Sequence, residues 1–161
     1  MFSLFCAGKF RPVVAYNDNG DACIDLPYNG DEEFVFNLGT VYRIPTKCHV
    51  EIPLGMSGII FERSGLGAKY GVTIHGRVID PNYRGEIIVI AGRYANFVHD
   101  LDSHEYKTIP DLRIKPGDRI AQLLISYAMP NFKFVDGLHE MSKTNRGTNG
   151  LGSSGLQTNA T

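Results

Sequence analysis

A chain of 161 residues with a formal net charge of −1 has the length of one ordinary domain and no overall attraction for nucleic acid or an anionic membrane. Hydrophobic residues make up 43%, which excludes disorder by composition, and no apolar run is long enough to span a bilayer. Cys6, Cys23 and Cys48 are odd in number and widely spaced, which argues against a disulfide framework or a zinc site and suits reduced thiols in a cytosolic protein.

The N-terminal apolar run follows no basic region, so a signal peptide is not expected. Short runs rich in β-branched and aromatic residues then read as strands: Phe34–Phe36, Val41–Ile44, Val50–Ile52, Gly58–Phe61, Glu86–Ala91, Ile120–Tyr127 and Phe132–Val135. With 18 glycines and 8 prolines between and around them, the pattern favours a β-sandwich, jelly roll or barrel. The best helical candidate is Ser64–Tyr70, weakened by Gly65 and Gly67. Residues 92–116 are polar and read as a long peripheral loop or hairpin, in which His99, His104 and neighbouring acids offer either a metal site or a solvated face. Residues 143–161 are rich in Gly, Ser, Thr and Asn and read as a flexible tail. The expected organisation is a β domain over 1–142 followed by that arm.

Five stretches carry more than turn chemistry. They are Asp21-Ala22-Cys23-Ile24-Asp25-Leu26, the Arg63-Ser64-Gly65 segment running to Gly71, Val78 to Glu86 around Asp80-Pro81-Asn82-Tyr83, Pro116 to Leu123 around Asp118-Arg119 and Gln122, and Arg146 to Gly155. Each alone also has a plain reading: a strand-edge carboxylate, a surface turn, a rim ion pair, a disordered end. Together they supply the parts of a triphosphate site. Arg63 and Arg146 offer planar forks for phosphate oxygens. Ser64, Gln122, Ser153 and Ser154 add neutral donors. Glycines let backbone N–H groups approach an anion. Asp25 suits hydrated Mg²⁺, and Asp80 suits a water molecule.

In this order and spacing the five stretches resemble the five motifs of the trimeric dUTPase family, and the match runs from residue 21 to 155. The resemblance implies a distorted β jelly-roll barrel. It implies a homotrimer with active sites shared between subunits and a mobile C-terminal arm closing over the nucleotide. It implies hydrolysis of dUTP to dUMP and pyrophosphate, assisted by Mg²⁺. Carried over residue by residue, Asp80 orients the water that attacks the α-phosphorus. Tyr83 packs on the deoxyribose and leaves no room for a 2′-hydroxyl. Main-chain groups of the hairpin from Val78 and Ile79 to Ile88 read the uracil edge. Arg63, Ser64 and Gly65 contact the α- and β-phosphates, Gln122 donates to phosphate, and Arg146 with Gly152 and Ser153 holds the β- and γ-phosphates. Asp25 reaches Mg²⁺ through water, and Arg119 holds a carboxylate such as Asp80 in place.

Three positions depart from the family pattern. Leu151 stands where a uracil-stacking Phe is usual, a contact worth roughly 1–3 kcal/mol. Asn149 replaces a Gly. Arg77 replaces a small residue, and either adds a cation near the substrate or obstructs the hairpin. Two other readings remain: a nucleotide-binding regulatory protein presenting loop 92–116 to a protein partner, and a dCTP deaminase. The second lacks its proton shuttle, because Ile90 stands where a Glu is needed. A cytoplasmic or host-cell setting is expected, without nucleic-acid or membrane partners.

Overall fold

The computed structural model describes residues 2–14, 20–129 and 142–144. The chain divides into two compact units, Met1–Pro130 and Asn131–Thr161. In the second, residues 142–144 are exposed and without regular structure. The expected strand Phe132–Val135 and the arm residues Arg146, Asn149, Leu151, Gly152 and Ser153 lie outside the described residues.

The first unit is built of strands with one short helix. In chain order these are β1 (Ser3–Cys6), β2 (Val13–Val14), β3 (Ile24–Pro27), β4 (Phe34–Val35), β5 (Val41–Pro45), β6 (Cys48–Glu51), β7 (Met56–Phe61), α1 (Ser64–Tyr70), β8 (Val72–His75), β9 (Val78–Ile79), β10 (Ile88–Arg93), β11 (Phe97–Asp100), β12 (Glu105–Thr108), β13 (Arg113–Ile114) and β14 (Arg119–Tyr127). A five-stranded sheet runs β2-β3-β14-β7-β9 and a three-stranded sheet runs β5-β10-β8. The remaining strands form the pairs β1-β6, β4-β13 and β11-β12. The strand pairings of both larger sheets are antiparallel.

Alternation along β14 shows how the sheet is used. Ala121 and Leu123 are fully buried while Gln122 and Leu124 are half-exposed, as a period of two requires. Leu123 joins Leu26, Ile44, Val50, Ile60, Ile87 and Val89 in one apolar cluster drawn from both larger sheets and from β6. The opposite face of the five-stranded sheet carries Asp25, Phe61 and Gln122 in one cross-strand row, because Gln122 pairs with Asp25 on one side and Phe61 on the other.

The weak helical candidate folds as a helix over the expected residues. Leu66 and Tyr70 pack against the core, which offsets glycine's cost of about 1 kcal/mol per residue in a helix. It stops at Gly71, whose φ of 64° is left-handed and whose N–H bonds back to the Gly67 carbonyl. Among the described residues no helix is long and apolar enough to cross a membrane.

Within residues 92–116, β11 and β12 and the ground around them are exposed as expected, while beyond them exposed and buried positions are interspersed. Gly92 and Arg93 end β10, and Ile109, Leu112 and Ile114 are buried in the body. Arg93, only 5% exposed, donates to the Ile109 and Phe36 carbonyls and so fastens the hairpin's return to the domain. In the hairpin, His99 stacks on Tyr106 with centroids 4.5 Å apart.

The Asp100 carboxylate accepts from Lys107 Nζ at 2.6 Å and from the Asp102 and Ser103 amides at 3.1 and 3.2 Å. The Lys107 bond first, then the two amides, bring its pKa from 3.8 down to about 2. A depressed carboxyl supports the folded turn above its unfolded pKa and loses that support as the pH falls through the folded one. The Asp102 and Ser103 amide resonances should therefore titrate with a midpoint near 2, and a midpoint at the ordinary carboxyl value would contradict the assignment.

Candidate active site

Three elements meet at a cavity of about 380 Å³ lined by Asp21, Cys23, Asp25, Arg63, Ser64, Gly65, Arg119 and Gln122, with Val13, Leu66 and Tyr70. The register explains the meeting. β14 sets Gln122 beside Asp25 on β3 and beside Phe61 on β7, and the chain leaving β7 turns at Glu62-Arg63 into α1. Arg63 is extended at the helix N-cap. The Leu66 and Gly67 amides return to its carbonyl at 2.9 and 3.0 Å. The amides of Ser64 and Gly65 precede these in the first turn, where no intrahelical acceptor exists, so the cavity receives the positive end of the helix.

Asp25 sits between two guanidinium groups. Its Oδ2 accepts from Arg119 Nη1 at 2.9 Å, and its Oδ1 is 3.2 Å from Arg63 Nε. Arg119 thus holds a carboxylate as expected, but the carboxylate is Asp25 rather than Asp80. Arg63 also donates to the Arg119 carbonyl at 3.2 Å. The Gln122 amide donates to the Glu62 carbonyl at 2.9 Å, which ties β14 to the start of the Arg63 turn. These side chains are partly exposed, so their ion pairs add little stability. Their effect is to fix two cationic forks at the cavity wall.

Cys23 also lines the cavity. Burial, then the nearby Asp25 and Asp21 carboxylates, raise its thiol pKa. It stays protonated at neutral pH and is a poor nucleophile.

Asp80 and Tyr83 lie on a second, separate platform. After β8 the chain reverses at Gly76, whose φ of 58° lies in the left-handed region. β9 then leaves the β8-β10 sheet and pairs with β7, Val78 opposite Ile59 and Ile79 opposite Gly58. β10 pairs with β8 only from Ile90 onward. The strands carrying Val78 and Ile88 therefore diverge, and no β8 residue pairs with Ile88. Val78 is 64% exposed and Tyr83 43% exposed, while Ile79 is buried.

The loop between them is pinned at many points. The Tyr83 amide donates to the Asp80 carbonyl at 3.1 Å, and its hydroxyl donates to the Glu86 carbonyl at 2.9 Å. A Cβ at Gly85 would lie 2.3 Å from that hydroxyl, so this closure requires glycine. The Ile87 amide donates to the Cys48 carbonyl at 2.8 Å, and Thr46 Oγ1 donates to the Ile87 carbonyl at 2.7 Å.

Asp80 is exposed and is absent from the cavity wall. Ile79 lies three residues along β7 from the partner of Gln122, so the hairpin leaves the sheet roughly 10 Å away along the strand, with β7 between. Sequence reasoning grouped all of these residues in one site, and within one chain they form two.

Arg77, left open above, is bound internally. Its Nη2 meets Glu62 Oε2 at 2.9 Å, its Nε donates to the Ile74 carbonyl at 3.0 Å, and the guanidinium lies over Phe61. It is outside the cavity wall and braces the root of the hairpin against the Glu62-Arg63 turn. Ile90 is half-buried opposite His75 and Arg43.

A model of the dUTPase family matches residues 11–99. The chain is 34% identical to a deoxyuridine 5'-triphosphate nucleotidohydrolase of Gamma-proteobacterium EBAC31A08, over 92% of this chain and 99% of the relative. It is 38% identical to the enzyme of that name from Mycobacterium sp. strain JLS, over 89% and 88% of the two chains. This chain belongs to the dUTPase family. Its fold is shared with the dUTPase of Staphylococcus bacteriophage 80alpha, solved with dUPNHPP, at a TM-score of 0.73 and 29% identity, covering 97% of this chain and 99% of that one. The all-β barrel expected of a dUTPase is the fold observed.

One anchor of the Asp80 platform is a buried hydroxyl. Thr46 is fully buried, and its Oγ1 also accepts from the Cys48 amide at 3.1 Å. Thr46→Val keeps the shape and leaves the Ile87 carbonyl and Cys48 amide short of a partner. Urea unfolding should show a loss of about 1–3 kcal/mol. An unchanged midpoint would remove Thr46 from the account.

Proposed function

We propose that this dUTPase-family chain is a dUTP diphosphatase, hydrolysing dUTP to dUMP and pyrophosphate by in-line attack of water on the α-phosphorus. The observation that carries the reading is the cavity whose wall brings together Arg63, Ser64, Gly65, Arg119 and Gln122. That set binds phosphate oxygens by charge-assisted and backbone hydrogen bonds. Burial raises the pKa of the Cys23 thiol on the cavity wall, which disfavours that sulfur as a nucleophile.

Water is then the attacking group and needs a carboxylate to orient it. In this reading Asp80 does so. Tyr83 packs on the deoxyribose, and the diverging main chain from Val78 and Ile79 to Ile88 reads the uracil edge. A base that mismatches fixed main-chain groups leaves buried polar atoms unpaired, which is the strongest form of rejection. Arg146, Leu151, Gly152 and Ser153 complete the grip on the base and the outer phosphates.

The separation of Asp80 from the cavity of its own chain supports assembly of each site from several subunits. We infer a homotrimer in which the Asp80 hairpin of one chain faces the Asp25-Arg63-Gln122 cavity of another, and the C-terminal arm comes from the third.

Both Asp25 oxygens already face arginines. Among the described residues no three His, Cys, Asp or Glu side chains converge on a possible metal. The described residues therefore form no cage for a metal. Its residues fit an Mg²⁺ ion held chiefly by water and triphosphate, with Asp25 accepting from a metal-bound water. Bound with the nucleotide, such an ion would supply neutralisation of charge on the phosphate oxygens. Calorimetric titration of MgCl₂ into nucleotide-free protein should give no saturable heat. The same titration with a nonhydrolysable dUTP analogue present should saturate. Tight binding without nucleotide would contradict this.

The reaction itself is tested by offering dUTP, dCTP, dTTP and UTP with Mg²⁺ and measuring pyrophosphate and ammonia together. Pyrophosphate from dUTP alone is expected, and ammonia from dCTP would favour the deaminase reading. Asp80→Asn should retain the dUTP analogue and lose about 10²–10⁴-fold in turnover. Near-normal turnover would remove Asp80 from the chemistry.

A further inference from the structure

Cys6 and Cys48 lie 42 residues apart in sequence and directly opposite each other in the β1-β6 pair, with sulfurs 3.7 Å apart. The neighbouring Ala7 amide donates to the Lys47 carbonyl at 2.9 Å, so residues 7 and 47 form a hydrogen-bonded pair and 6 and 48 a non-hydrogen-bonded one. In that type of pair the Cα atoms are about 4.5 Å apart and the side chains draw closest, within the roughly 4.4–6.8 Å that a disulfide spans. Both thiols are free in this structure.

The two differ in access. Cys48 is fully buried, its S–H facing the Thr46 carbonyl at 3.2 Å, and burial holds its thiol well above the ordinary range. Cys6 is half-exposed on a strand whose one partner among the described residues is β6. A reagent from solvent therefore meets Cys6 first.

We propose that Cys6 and Cys48 are an oxidisable pair, converted to a cross-strand disulfide by exchange with a low-molecular-weight disulfide. The Cys6 thiol gives its proton to solvent and its sulfur attacks one sulfur of the reagent. A Cys6–reagent bond forms, the reagent's own S–S bond breaks, and one thiolate leaves. The Cys48 sulfur, already beside Cys6, then attacks it. The Cys6–Cys48 bond forms, the mixed disulfide breaks, and the second thiolate leaves, the Cys48 proton passing to it. Two protein thiols are oxidised and one reagent disulfide is reduced to two thiols. The sulfurs must close by about 1.7 Å to reach bonding distance.

The link fastens β1 to a functional stretch of β6. The Cys48 carbonyl holds the Ile87 amide and the adjacent Thr46 holds the Ile87 carbonyl, so the cross-link joins the start of the chain to the anchor of the Asp80 platform. Cys23 lies on the cavity wall and takes no part.

The test incubates the reduced full-length protein with oxidised glutathione in mildly alkaline buffer, quenches with acid and an alkylating agent, and maps peptides by mass spectrometry. The wild type and Cys23→Ala should yield a Cys6–Cys48 linked peptide, with the loss of two hydrogens, that dithiothreitol reverses. Cys48→Ala should stop at a glutathione adduct on Cys6. Cys6→Ser, a near-isosteric change at a half-buried position on the edge of the core, should leave Cys48 unmodified. Recovery of Cys6 and Cys48 both alkylated in the wild type, a persistent adduct on wild-type Cys6, or a link to Cys23 would each overturn the proposal.

Discussion

β7 is hydrogen-bonded on one edge to β14 and on the other to β9, and this double pairing governs where every functional side chain of the domain lies. One edge brings Gln122 and, through β14, Asp25 into line with the end of β7, where Glu62-Arg63 turns into the helix. The other edge holds the root of the Asp80 hairpin further back along the same strand. Register in a sheet with one buried face is strongly specified, because a slip of one residue would turn Ile60, Leu123 and Ile79 out of the core. The distance between the Arg63-Gln122 cavity and the Asp80 loop is thus set by the core and not by the loops themselves.

That separation gives the two halves of the site different physical characters. The cavity is an electrostatic device. Asp25 spaces two guanidinium groups that would otherwise repel, and they stay oriented for an anion without the cost of ordering them on binding. The hairpin is a shape device. Its hydrogen bonds close within the loop or onto Thr46, Lys47, Cys48 and His49, and Arg77 braces its root through Glu62. In the proposed enzyme neither half, as far as the described residues go, completes a nucleotide site within one chain. Association of chains is what joins them in the proposed enzyme.

The motifs were legible because phosphate and metal chemistry needs particular residue types at short spacing, as in Arg63-Ser64-Gly65 or Asp80-Pro81-Asn82-Tyr83. Strands such as β7 and β14 were legible as apolar runs. The pairing between elements was not, since register between β3 and β14 joins residues nearly a hundred positions apart. For that reason Asp25 was not singled out as the carboxylate that Arg119 holds, the role of Arg77 stayed open, and the contact of Cys6 with Cys48 was invisible. Some signals were present and unused. Val72-Thr73-Ile74-His75 alternates as β8 does, and Ile109, Leu112 and Ile114 are apolar positions inside a stretch read as wholly peripheral.

In the proposed enzyme Asp80 serves a cavity belonging to a different chain. This is tested most directly by unfolding Asp80→Asn together with Arg63→Ala, each nearly inactive alone, refolding the mixture and measuring dUTP turnover. If sites are shared, some mixed assemblies unite an intact hairpin with an intact cavity, and the mixture should be far more active than either variant refolded separately. A mixture no more active than its components, with mixed assemblies confirmed by mass, would place both residues in one chain's site and contradict the account.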